Sequence, residues 1–219
     1  IQIMIISGAG AEGISLTGVR QVHILEPYWN EVKIDQLIGS GRAVIVVPDS
    51  YPISPPEIKA LRQWVKAGGM VLRFAGERLA RSMNDKFVPV PLRRGGRILG
   101  GAMRWSEPAT LAPFSRKSPF FGLKTTDEIT ILRQVLARPS LELGEKTWAR
   151  LSDGTPMVTA DRRGKGWLVL VHTTAGMRWS TLPLSGLFVE MLRRIVSVSK
   201  GVAGDAASGV PLAPVSSLD

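Results

Sequence analysis

The chain has 219 residues, 44% of them hydrophobic, which is enough to enclose one substantial core. It has no cysteine, which excludes a disulfide framework, a thiolate metal site and a cysteine nucleophile. The formal charge of +10 is uneven: residues 1–42 hold three basic and four acidic side chains, whereas residues 43–200 hold 25 and 12. A basic stretch of this kind points to nucleic acid, anionic lipid headgroups or an acidic partner, or it simply keeps the surface solvated.

In chain order, Ile1–Ile6 is a short apolar run ended by Gly8 and Gly10, the pattern of a buried strand. It has neither the basic flank nor the cleavage site of a signal peptide, and no later run approaches the roughly 18 apolar residues of a membrane span. Gln21–Leu25 predicts a second strand, closed by Pro27, and Val32–Ile38 one or two helical turns. Ala43–Val47 is a β-branched run stopped by Pro48-Asp49, a third strand.

Ser54-Pro55-Pro56-Glu57 then supplies a cap serine, a proline at the first helical position and a glutamate three residues after the cap. Ile58, Leu61 and Val65 recur at helical spacing with Trp64 beside them, and Gly68-Gly69 marks the stop. Met70–Phe74 resumes as a strand, so Ala43–Phe74 predicts a strand–helix–strand unit and hence a parallel sheet. A short helix is expected within Gly76–Asn84.

Beyond Val88 the runs shorten. Strands are expected at Arg97–Trp105, Glu128–Ala137, Thr147–Leu151, Pro156–Ala160 and Trp167–His172, with turns at Asp153-Gly154 and Gly164–Gly166. Leu184, Leu187, Phe188, Met191, Ile195 and Val198 fall on one face of a final amphipathic helix, and Ser185 suits its start. Residues 201–219 carry Gly, Ala, Ser and Pro without a period and read as a disordered tail.

Gly8-Ala9-Gly10-Ala11-Glu12-Gly13 matches a dinucleotide-binding G-x-G-x-x-G. Only Ala11–Gly18 is available for the helix such a site needs, so a glycine-rich loop is the better reading. The run Met4–Ser7, Gly10–Leu16, Val19–Asn30 and Ile34–Gly39 resembles the second motor lobe of superfamily-two helicases, especially virus- and phage-type members. That resemblance implies a coupling motif at Glu12-Gly13-Ile14, and a final motif opened by Gln36 and Gly39, whose family form is Q-x-x-G-R-x-x-R. The arginines of that motif stabilise charge on a transferred phosphate. Here Ser40 stands where the first arginine belongs, Arg42 comes two residues late, and Ile45 takes the second place. No G-x-x-x-x-G-K-[ST] loop or Asp-Glu magnesium box occurs in the chain, so it holds no complete motor.

Residues 45–201 resemble the central region of bacterial envelope proteins that begin with a BatA-type double-transmembrane segment and carry a C-terminal domain of unknown function. The matching residues are Ile58–Gly69, Leu72–Gly76, Leu92–Arg97, Thr147–Pro156 and Leu182–Arg194. This resemblance implies a class I glutamine-amidotransferase-like fold in a domain facing the periplasm. Its implied partners are MoxR-type ATPases and von Willebrand-type proteins, and it carries over no catalytic residue. Amidotransfer itself needs a cysteine, and no G-x-S-x-G elbow is present. His23 and His172 each lie in an apolar strand without a partner motif, which favours packed side chains over a base or a metal ligand.

Arg93-Arg94-Gly95-Gly96-Arg97 and Arg162-Arg163-Gly164-Lys165 are two basic clusters with a turn-like composition. They are expected to converge on one edge as an anion-binding surface, or else to be merely solvated. The expected fold is an α/β protein with a parallel-sheet, amidotransferase-like and flavodoxin-like core, an added β-rich segment and a C-terminal amphipathic helix. Residues 1–42 are expected to be a helicase-like fragment or the first strands of the α/β core. Residues 43–200 form the α/β domain. The leading functional expectation is a non-catalytic envelope scaffold without cofactor or metal, with an anionic lipid surface as a partner. The alternative is a cytoplasmic, nucleic-acid-binding, helicase-related fragment.

Overall fold

The computed structural model describes residues 2–3, 20–24, 44–82, 85–99 and 108–199. The predicted turns at Val32–Ile38 and the predicted tail at 201–219 lie outside them.

The elements are β1 (Gln2–Ile3), β2 (Arg20–Ile24), β3 (Val44–Val47), α1 (Pro55–Ala67), β4 (Met70–Phe74), α2 (Glu77–Arg81) and β5 (Leu92–Ile98). They continue with β6 (Arg133–Ala137), β7 (Thr147–Arg150), β8 (Pro156–Arg163), β9 (Gly166–Val171) and α3 (Gly186–Ser199). Seven strands form one mixed sheet in the order β1-β2-β3-β4-β9-β8-β7, and β5 pairs with β6 in a separate antiparallel ribbon. Pairing is parallel from β1 through β9 and antiparallel from β9 to β7. The molecule is thus an α/β protein.

Both faces of the central strands are covered, which is why β3, β4 and β9 are nearly unbroken apolar runs rather than alternating ones. Successive side chains point to opposite faces. Ile45, Val47, Val71 and Leu168 pack against Leu61 and Val65 of α1. Val44, Val46, Met70, Leu72, Val169 and Val171 pack toward Phe188, Met191 and Ile195 of α3. Leu170 shares the α1 face with Leu168, and it packs with Val135 of β6. The ribbon β5–β6 therefore lies on the same side of the sheet as α1.

Helix α1 begins as its sequence prescribes. Pro55 opens it, and the Glu57 carboxylate accepts the Ser54 N–H at 2.6 Å. Burying Leu61 and Val65 completely contributes about 2 kcal/mol each. The helix stops at Gly68, whose φ of 126° lies in the region that favours glycine.

Three expectations need correction. The strand placed at Arg97–Trp105 begins earlier, at Leu92, so the cluster Arg93–Arg97 is strand rather than turn. Two glycines suggested a break there, but a bulge absorbs them inside the ladder. Likewise Arg162 and Arg163 extend β8, because pairing with Trp167 and Gly166 carries the strand beyond Ala160. Leu184, assigned to the buried stripe of the last helix, is 69% exposed. It belongs to a preceding 3-10 turn, Leu182–Leu184, whose phase differs from that of α3.

Candidate functional site

The basic side chains of the α1 side form two groups. On α1, Lys59, Arg62 and Lys66 recur at three- and four-residue spacing along the exposed edge, opposite Leu61 and Val65. The backbone N–H of Lys165 donates to the Lys66 carbonyl at 3.1 Å, which fixes the β8–β9 hairpin tip against the end of the helix. The second group surrounds an open groove of about 660 Å³ lined by Arg93, Arg94, Gly95, Gly96, Leu136, Arg138 and Pro139.

The acidic residues nearby are already engaged. Burial acts to raise the Asp85 carboxyl, but the Arg73 guanidinium, at 2.9–3.0 Å, outweighs it and holds the group below its ordinary value. Glu57 is also held low. Burial opposes that shift, and hydrogen bonds from the Tyr51 hydroxyl and from Ser54 overcome it. Asp161 receives Arg163 at 2.7 Å and Lys146 at 3.3 Å. No carboxylate among the described residues pairs with Arg93, Arg94 or Arg138, nor with Lys59, Arg62, Lys66 or Lys165.

The six basic residues expected to converge therefore separate. Arg93 and Arg94 both line the groove, and the Lys165 backbone lies beside that of Lys66. Arg97 turns inward, with Nη2 on Asp153 at 2.6 Å and on the Gln134 side-chain oxygen at 2.8 Å. Arg163 is held by Asp161 and by the Val88 carbonyl. Arg162 sits opposite Trp167, which packs into the α3-side core, so alternation places it on the other face. Sequence reading missed Arg138, which only the β5–β6 pairing brings to Arg93. The helicase-motif residues Glu12, Gly13, Gln36, Gly39 and Arg42 lie outside the described residues.

The carboxyl ends of β3, β4 and β9, where open α/β sheets usually take ligands, are internally filled. Asp49, two residues past β3, accepts the N–H groups of Arg78 and Leu79 at 2.9 Å each. Arg78 returns Nε to the Asp49 carbonyl at 2.8 Å and Nη2 to that of Tyr51 at 2.7 Å. His172, just past β9, is fully buried. Its Nδ1 donates to the Val135 carbonyl at 2.7 Å, which leaves Nε2 to accept from the Thr159 hydroxyl at 2.9 Å. With both ring nitrogens engaged, it is a packed side chain of the core.

No family model matches the chain. Over 65 residues it is 42% identical to the termination factor NPH-I homolog of African swine fever virus, a match covering 30% of this chain. Over 40 residues it is 50% identical to the "Putative ATP-dependent RNA helicase R350" of Acanthamoeba polyphaga mimivirus, covering 18% of this chain. The matches span only 9% and 5% of those viral proteins. The chain therefore contains a helicase-like region.

Among solved structures, the cytoplasmic protein STM3548 of Salmonella typhimurium superposes with a TM-score of 0.55 at 16% identity, over 76% of this chain and 74% of that one. A second Salmonella cytoplasmic protein, STM1381, gives 0.53 at 13% identity, over 78% of this chain and 75% of that one. These likenesses concern the fold alone. Among the described residues, no helix is long and apolar enough to cross a membrane.

Proposed function

We propose that this chain is a nucleic-acid-binding, helicase-related fragment without complete ATPase machinery, and that its α/β domain is a non-catalytic basic module. The observation that carries this reading is the 42% identity over 65 residues with a viral termination-factor homologue. The motif residues Glu12, Gly13, Gln36 and Gly39 agree with it, and Ser40 in place of the motif's first arginine removes the group that would steady a transferring phosphate. The net charge of +10 supplies complementary electrostatics. Lysines and arginines that neutralise phosphates release condensed counterions, so binding of this kind weakens steeply with salt.

Fluorescence anisotropy with a labelled single strand and a labelled duplex, titrated across salt concentrations, tests the reading. The expected result is binding to nucleic acid whose log K falls linearly with log salt, with no nucleic-acid-stimulated ATP hydrolysis. Lack of binding at low salt would refute the proposal, and stimulated ATP turnover would refute its non-catalytic half. The envelope-scaffold reading rests on the motif resemblance of residues 45–201. Binding to anionic vesicles without binding to nucleic acid would favour it instead.

A further inference from the structure

We infer that the groove between β5 and β6 is a phosphate-contacting site for the backbone of a nucleic acid, lined by Arg93, Arg94 and Arg138. The inference rests on the nucleic-acid reading above and assigns it a place.

The decisive feature is the bulge in β5. Leu92 pairs with Ala137 and Gly96 with Val135, so four steps on one strand oppose two on the other. In a regular strand Arg93 and Arg94 would project to opposite faces. The bulge, completed by Gly95 at a φ of 81°, turns both into the same groove. Arg138 enters from the partner strand's end, where its N–H donates to the Pro91 carbonyl at 2.8 Å. Arg93, Arg94 and Arg138 thus line one concavity, and among the described residues no carboxylate lines it. The planar guanidinium fork suits phosphate oxygens in bidentate geometry.

At Gly95 the strand faces open space: a side chain added there would meet nothing within 4 Å among the described residues, so a backbone phosphate can approach the strand closely. Among the described residues no aromatic ring lines the groove, so contact there is with the sugar-phosphate chain, independent of sequence.

The test compares full-length wild type, the double variant Arg93→Gln/Arg94→Gln, and a control, Lys59→Gln/Arg62→Gln, with the same loss of charge on α1. Each is titrated with labelled oligo-dT over a salt series and with phosphatidylserine vesicles, and thermal midpoints verify folding. The groove variant is expected to bind roughly ten-fold more weakly, its salt slope reduced by about 0.7 for each phosphate that is no longer neutralised. The control should change clearly less. Equal weakening in both variants would overturn the groove assignment and leave general nucleic-acid binding intact, whereas failure of the wild type to bind at all would remove both. Loss of vesicle binding in the groove variant, with oligo-dT binding unchanged, would reassign the groove to lipid headgroups.

Discussion

Arg93 and His172 show how differently single residues declare themselves. His172 was legible: a histidine in an apolar strand without a partner motif belongs to the core, and the structure buries it against Val135 and Thr159. Arg138 was not, because no local spacing connects it to Arg93 and only strand pairing does. Burial of His172 pushes its imidazole from the ordinary 6.5 down to about 4, and the bond to the Val135 carbonyl only partly opposes this. Between those values the unfolded chain takes up a proton that the native ring refuses. Stability is therefore full above pH 6.5 and falls as pH is lowered through that window, by up to about 3 kcal/mol. Urea midpoints measured from pH 7 to pH 4 should decline accordingly, and His172→Asn should flatten the decline. A wild-type midpoint constant across that range would contradict the assignment. The ionised carboxylates of Asp85 and Glu57, both held below their ordinary values, add losses only at lower pH.

Among elements, the α1 unit was the most legible because cap, stripe and stop all agree, and local consistency of that kind needs no tertiary information. Strands β5 and β8 were misjudged at their ends, where glycines and arginines imitate a turn but ladder pairing prevails. Gly166 shows what such a reading leaves out. It was expected as part of a turn, yet it is the first residue of β9, and a Cβ there would run into the carbonyl oxygens of Val65 and Gly69. The Trp167 N–H donates to that same Gly69 carbonyl at 3.1 Å, so this junction joins α1, β4 and β9. Backbone atoms cannot step aside as a flexible side chain would. Gly166→Ala is expected to destabilise the fold by about 3 kcal/mol, seen as a lower thermal midpoint. A midpoint equal to wild type would show that the junction yields.

For the whole molecule, α/β class and basic character could be read from apolar runs and charge counts, but the strand order could not. Pairing β4 with β9 joins residues nearly a hundred positions apart, and nothing in either segment names its neighbour. The same long-range closure separates the charges: among the described residues no carboxylate pairs with Arg93, Arg94 or Arg138, while Arg97 and Arg163 are neutralised from within. A surface of crowded, unpaired cations repels itself, so a bound polyanion should stabilise the native state. At a hundred times its dissociation constant, oligo-dT would contribute about 2.7 kcal/mol, measurable as a rise in the unfolding temperature that disappears at high salt. An unchanged unfolding temperature at saturating oligo-dT would mean that the native state is not preferred by the ligand.

Asp49 has a consequence of its own. By committing its carboxylate to the first amides of α2, the chain keeps for itself the berth that related architectures leave open to a guest. A negatively charged ligand at the strand tips would first have to displace the Asp49 carboxylate from those amides.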